Sequence, residues 1–168
     1  MPQITTQTIQ TLRDMTGAGI MDCKKALEQS NGDVDKAVES LRAAGIGIAS
    51  KKAARAAKDG LVDSYLHSGG RIGALVEVNC ETDFVARTDN FRQLIHDLAM
   101  QVAAMNPKYI SAEDIPAGEK VNPEEVCLLL QPFIKDPTRT IQDLITETIA
   151  RTGENIKVRR IARFALGE

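Results

Sequence analysis

The hydrophobic period of this chain changes once, near Gly60, and that change limits what the chain can fold into. Before it the spacing is helical. Ile9, Leu12 and Met15 recur at threes after Thr5 and Thr6, either of which can cap a first helix ending near Thr16. Gly17-Ala18-Gly19 breaks the pattern, after which Ile20, Cys23, Ala26 and Leu27 share one face and Asp22, Lys24, Lys25 and Glu28 mostly lie elsewhere. Asn31-Gly32 supplies a stop, and Asp33 is an N-cap for Val34, Ala37, Val38 and Leu41, a pattern that ends at Gly45. Three helices predict a compact bundle over residues 1–45. Its core is small and its stability marginal, which leaves Ile20 and Met21 beside the glycine loop available for binding.

Residues 46–59 turn to Gly, Ala, Ser and base, with Lys51, Lys52, Arg55 and Lys58, and read as a basic linker. Its Ala, Lys and Arg can turn helical around Lys51 to Lys58, but there is no stripe to bury. Beyond Gly60 the period falls to two. Leu61 to Leu66 and Arg71 to Val78 are β-rich runs joined by His67-Ser68-Gly69-Gly70, a hairpin turn whose glycines allow positive φ. Ile156 to Leu166 forms a third strand, with Ile156, Val158, Ala162, Phe164 and Leu166 read as its apolar face and Arg160 as a break in it. Between these strands lie a helix striped by Phe91, Leu94, Ile95, Leu98, Val102 and Met105, and another with Ile141, Leu144, Ile145 and Ile149 that Gly153 closes. Residues 60–168 are therefore expected to be an α+β core, a small three-stranded antiparallel sheet packed with helices, without the order of a doubly wound fold.

Composition narrows the function. The 168 residues carry 21 Lys+Arg against 23 Asp+Glu, a formal net charge of -2, which makes phosphate neutralisation a poor source of affinity. Cys23, Cys80 and Cys127 are too scattered for a disulfide framework or a metal knuckle and suit a reducing compartment, the cytoplasm. No apolar run approaches the ~20 residues of a membrane span, and Met1-Pro2-Gln3 leads into amphipathic sequence without an export signal. His67 in a turn and His96 in a helix have no nucleophile, paired carboxylate or metal set around them. The pairs Gly17/Gly19 and Gly45/Gly47 lack the third glycine of a dinucleotide loop and the GK[ST] of a phosphate loop. Neither enzyme chemistry nor a cofactor or metal is expected.

One stretch stands apart, Val78-Asn79-Cys80-Glu81-Thr82-Asp83-Phe84-Val85-Ala86-Arg87, with Thr82 or Asp83 placed to cap a helical turn. Phe84 and Phe91 are seven apart, so one continuous helix buries both. Alternatively, Asp89-Asn90 starts a fresh helix, Asp83 to Arg87 is a separate turn, and Phe84 projects outward as a wedge.

The run from Leu12 to Leu27, with the following Asn31-Gly32-Asp33, and the run from Glu77 to Ala86 resemble the two signature segments of the bacterial elongation factor Ts family. Tyr65 to Gly73, Gln131-Pro132-Phe133 with Asp136-Pro137, and Gly153 to Arg160 extend the resemblance over nearly the whole chain. It implies a guanine-nucleotide exchange factor that binds elongation factor Tu with GDP and promotes GDP release with loss of magnesium. It also implies an N-terminal domain like the ubiquitin-associated three-helix fold. By the same match Thr82, Asp83, Phe84 and Val85 form the wedge that enters near the magnesium site, Ile20, Met21, Lys24 and Lys52 are N-terminal contacts, and His67 is a contact of the core. Longer members carry two core subdomains and a helical coiled-coil excursion. This chain has one subdomain and only the short segment Val121 to Leu130, so it resembles the short form, expected to be a homodimer through its core. Two other readings stay open: an adaptor like the ubiquitin-associated domain without exchange activity, and an RNA binder using Lys51, Lys52, Arg55, Lys58 and the Lys157 to Arg163 strand. The acidic balance and six aromatics argue against the second.

Overall fold

The computed structural model describes residues 4–168. Met1-Pro2-Gln3, read above for the absence of an export signal, lie outside the described residues. The chain divides into two compact units, one running to Ala54 and including Thr146–Glu154, the other comprising Arg55–Ile145 and Asn155–Glu168.

In the first unit, α1 (Thr6–Thr16) begins at Thr5, whose hydroxyl and that of Thr8 cap each other's backbone amides. It ends at Gly17, which is left-handed at φ 65°. Helix α2 (Ile20–Gln29) follows Gly19, and α3 (Val34–Lys52) is capped by Asp33, which accepts the Lys36 amide at 3.1 Å. Leu12, Cys23, Ala26, Leu27 and Ala37 form the core, with Ile4, Ile9, Ala18, Val34, Val38 and Leu41 packed around it. The helical spacing placed Leu12, Cys23, Ala26, Leu27 and Ala37 correctly.

The end of α3 differs from the sequence expectation. The helix continues through Gly45 to Lys52 and takes up the first half of the expected linker. Ala49, Lys51 and Lys52 are good helix formers, the two lysines complement the C-terminal dipole, and the cost of Gly45 and Gly47 inside a helix is modest.

The second unit is built on the antiparallel sheet β1 (Asp59–Leu66), β2 (Ile72–Cys80) and β5 (Lys157–Ala165), with β2 in the centre. The β1–β2 hairpin turns through His67 to Arg71 as expected, with the His67 amide on the Ile72 carbonyl. At its open end Gly60 sits at φ 143°, where an added Cβ would lie 2.1 Å from the Val78 carbonyl oxygen, so only glycine fits. Helix α5 (Asp89–Met105) packs on all three strands. Phe91, Leu94, Ile95, Leu98 and Val102 meet the buried β2 residues Ala74, Val76, Val78 and Cys80 in the core. A short hairpin, β3 (Pro132–Phe133) with β4 (Asp136–Thr140), was not foreseen. It is held to α5 by buried Gln101, whose amide donates to the Pro132 carbonyl at 3.1 Å and accepts the Ile134 amide at 3.0 Å. Lys135 adds an ion pair to Asp97 at 2.6 Å. A one-turn helix α6 (Pro123–Val126) lies in the shortened segment, and α7 (Ile141–Thr152) starts in this unit, belongs to the first from Thr146 on, and ends at Gly153 with φ 75°.

Strand β5 corrects the expected faces. Glu77 pairs with Arg160 but Val78 pairs with Val158, so Arg159 is an extra residue in a bulge. One inserted residue reverses every later side chain. Ala162, Phe164 and Leu166 therefore do not continue the face of Val158: Phe164 is 75% exposed and Leu166 70%. The inward position goes to Arg163, whose Nε donates to the Ala103 carbonyl at 3.0 Å.

Candidate functional site

Four residues, Asp83–Ala86, form the single helical turn α4 between β2 and α5. Thr82 is its N-cap, its hydroxyl accepting the Val85 amide at 3.4 Å. The helix does not run on into α5, because Thr88 caps α5 separately and accepts the Phe91 amide at 3.3 Å. The cap is thus Thr88 rather than the expected Asp89-Asn90. The same hydroxyl donates to the Val85 carbonyl at 2.7 Å, locking the two helices at a break. Two caps six residues apart, Thr82 and Thr88, mean that Phe84 and Phe91 no longer share a face, and the outward reading of Phe84 is the one observed. Phe91 is fully buried and Phe84 is 78% exposed.

The turn is anchored from beneath. Val85 and Ala86 are buried, and the Cys80 thiol donates to the Thr82 carbonyl at 3.2 Å. Asp83 points to solvent and is engaged by Arg87 at 2.7 Å, an exposed i,i+4 pair. The result is an aromatic ring and a carboxylate side by side on a short turn fixed at both ends. Val85, grouped with them by sequence, points instead into the core. His67 is exposed in the hairpin turn, its Nδ1 3.4 Å from the Tyr65 hydroxyl.

On the first unit, Ile20 and Met21 open α2 at 55% and 73% exposure. Large apolar side chains so exposed on a small bundle make a candidate contact surface. Lys24, one turn on from Ile20, is exposed and pairs loosely with Glu28 at 3.9 Å. Lys52 is the last residue of α3, half-buried.

A second surface escaped the sequence reading. The sheet face opposite α5 exposes Val62, Leu66, Leu75, Phe164 and Leu166. The signal for it lay in β1 and β2, where Leu61-Val62, Tyr65-Leu66 and Ala74-Leu75 put apolar residues on both faces. Burial pushes the Cys23 and Cys127 thiols up from their ordinary pKa, which favours the protonated, less reactive form. Among the described residues no group of three or more His, Cys, Asp and Glu is placed to hold a metal ion.

In this two-unit α+β chain the exposed apolar side chains at the start of α2 and on the isolated turn α4 are the candidates for contact with another macromolecule. The family described as Elongation factor TS matches residues 3–122. Elongation factor Ts of Moorella thermoacetica is 51% identical over 190 residues, covering 95% of this chain and 94% of that protein. Those of Carboxydothermus hydrogenoformans and Geobacter sulfurreducens are 49% and 48% identical, each covering 98% of this chain and 90% of the relative. The chain belongs to the elongation factor Ts family, and with it to the translation elongation factors.

Proposed function

We propose that the protein is a guanine-nucleotide exchange factor that binds elongation factor Tu with GDP and promotes GDP release, with loss of magnesium, in the cytoplasm. It acts by binding and makes no covalent bond. The observation that carries this reading is Phe84, an exposed aromatic ring on a turn fixed at both ends. An exchange factor and a nucleotide weaken each other's binding by the same factor, so the factor shortens nucleotide residence without shifting the final equilibrium. Burying one phenylalanine in the partner contributes ~1.5–3 kcal/mol. At about 1.4 kcal/mol per tenfold, Phe84 supplies roughly a ten- to hundredfold acceleration.

In this reading the helical bundle, a domain like the ubiquitin-associated fold, anchors the complex through Ile20, Met21, Lys24 and Lys52. Thr82 and Val85 hold the turn, Phe84 displaces elements of the GTPase, and Asp83 perturbs the magnesium environment once Arg87 yields it. His67 is an additional contact of the core. Residues 60–168 pair with a second copy, rebuilding the extent of a two-subdomain core.

The test is release of a fluorescent GDP analogue from a bacterial elongation factor Tu under catalytic amounts of the protein. Phe84→Ala should lower the release rate at saturating factor by about ten- to hundredfold. Replacing Ile20 and Met21 together by Ala should raise the concentration needed for half-maximal effect. Identical phenotypes would remove the division of labour. No acceleration by the unaltered protein, with binding to other proteins retained, would favour the adaptor reading.

A further inference from the structure

A four-residue helix cannot hold its own geometry, since one turn is no more than the costly nucleus of a helix. What orients Phe84 must therefore come from outside α4. The C-terminal side is fixed by Thr88 and by burial of Val85 and Ala86. On the N-terminal side stands Glu81, immediately before the cap residue Thr82. Its Oε1 accepts the Asn155 backbone amide at 2.7 Å, and its Oε2 lies 3.6 Å from Nη1 of Arg55. The Asn155 side-chain amide in turn donates to the Arg55 carbonyl at 2.7 Å, closing a three-residue ring. Asn155 is 2% exposed and the Glu81 side chain 21%, so that part of the ring is shielded from water, while the Arg55 side chain is 54% exposed.

Position in the chain gives the ring its meaning. Arg55 and Asn155 are the first residues of the second unit at the two points where the chain passes into it, after Ala54 and after Glu154. They lie 100 residues apart in sequence, and both are gathered onto the residue that precedes the wedge turn.

We propose that Glu81 is a positioning residue for nucleotide exchange: held by Arg55 and Asn155, it fixes the direction in which the Thr82-Asp83-Phe84 turn leaves the sheet. The proposal rests on the exchange reading for its effect on rate, and on the ring alone for its effect on the turn. A carboxylate suits the task because two acceptor oxygens reach a backbone amide and a guanidinium at once. Glutamine keeps the oxygen that receives the Asn155 amide and gives up the charge that pairs with half-exposed Arg55, which is the weaker part. Alanine removes the acceptor from a buried amide.

The experiment compares the unaltered protein with Glu81→Ala, Glu81→Gln, Phe84→Ala and the double variant Glu81→Ala/Phe84→Ala. GDP-analogue release is followed over a range of factor concentrations, and amide hydrogen exchange is followed in the free protein. Glu81→Ala should lower the maximal release rate by about tenfold while the half-saturating concentration moves by less than about twofold. Glu81→Gln should retain at least about half of the rate, and the double variant should match Phe84→Ala within about twofold, because a misdirected ring that is already gone cannot be lost again. Exchange should quicken at residues 82–88 in Glu81→Ala and stay unchanged along α5, which also shows that the variant is folded. Independent, multiplying losses from Glu81→Ala and Phe84→Ala, or unaltered exchange at residues 82–88, would overturn the proposal. If the unaltered protein releases no GDP, the exchange reading fails, and protection of residues 82–88 alone decides whether Glu81 fixes the turn.

Discussion

Asp33 shows how much one side chain carries in a small bundle. Its Oδ1 accepts the Lys36 amide, and the Lys36 ammonium lies 3.2 Å from the other oxygen. These interactions, the backbone amide first, hold its carboxyl below the ordinary carboxylate range. Asp136 is lowered in the same way, first by the Thr138 hydroxyl, which donates to it at 2.6 Å. The folded pKa lies under the unfolded one, so as pH falls the unfolded chain takes up the proton first. The stabilisation is present above the unfolded value of ~3.9 and disappears as pH drops through the lowered folded value. Thermal unfolding followed by circular dichroism should therefore show a midpoint that falls between about pH 5 and pH 2. Asp33→Asn should keep the cap, since asparagine caps as well as aspartate, and flatten part of that fall. Equal slopes for the two proteins would remove Asp33 as a contributor.

At the scale of elements, the period of the sequence was enough to place the hairpin, the stripe of α5 and the three N-terminal helices, because each follows from burial of one face. What escaped it depends on a distant partner. The bulge at Arg159 is set by the pairing of β5 with β2, and without it Phe164 is assigned to the wrong face. The separation of α4 from α5 rests on Thr88, whose capping role competes with that of Asp89 one position on. The polar ring around Glu81 closes over 100 residues and leaves no local mark. Helix α3 failed differently, since Gly45 and Gly47 resemble stops while the helix formers that follow carry the helix through them. A Cβ at Gly45 would lie at ordinary distance, 3.7 Å from the Ala150 Cβ, and one at Gly47 would meet nothing within 4 Å. Neither glycine needs a positive φ. Replacing each by alanine should thus stabilise the protein by about 0.5–1 kcal/mol, chiefly by restricting the unfolded chain. The readout is the denaturation midpoint of each variant, and destabilisation at Gly47 would show that α3 is not continuous there in solution. Gly60→Ala should act oppositely, costing at least about 1–3 kcal/mol for its backbone angle before the clash with Val78 is counted.

On the scale of the whole molecule, length and sheet architecture bear on one question. The alignment with the Carboxydothermus relative spans 195 positions against the 168 residues of this chain, so the relative holds at least 27 residues with no counterpart here. The family match ends at residue 122, at the start of the Val121 to Leu130 segment, which holds the single turn α6 and a 3-10 turn at Leu128–Leu130. A shorter core leaves less to cover the sheet. The face away from α5 carries Leu66 at 70%, Leu75 at 48% and Phe164 at 75% exposure, gathered around Gly73 and Ala162 by the register of β1, β2 and β5, with Val62 at 60% in the row of Glu77 and Arg160. Sheets pack face to face about 10 Å apart through such side chains, and a second copy offers a matching face by symmetry. A stable dimer needs roughly 1,200–2,000 Å² in all, so neighbouring loops have to join the sheet in the contact. Light scattering should accordingly give twice the chain mass at micromolar concentration. Phe164→Glu, which puts a carboxylate on the apolar face, should shift the protein to the monomer at an unchanged circular dichroism spectrum, because the position is already exposed in the single chain. A monomeric mass for the unaltered protein across that range would dispose of the pairing, while leaving Phe84 and the exchange reading untouched.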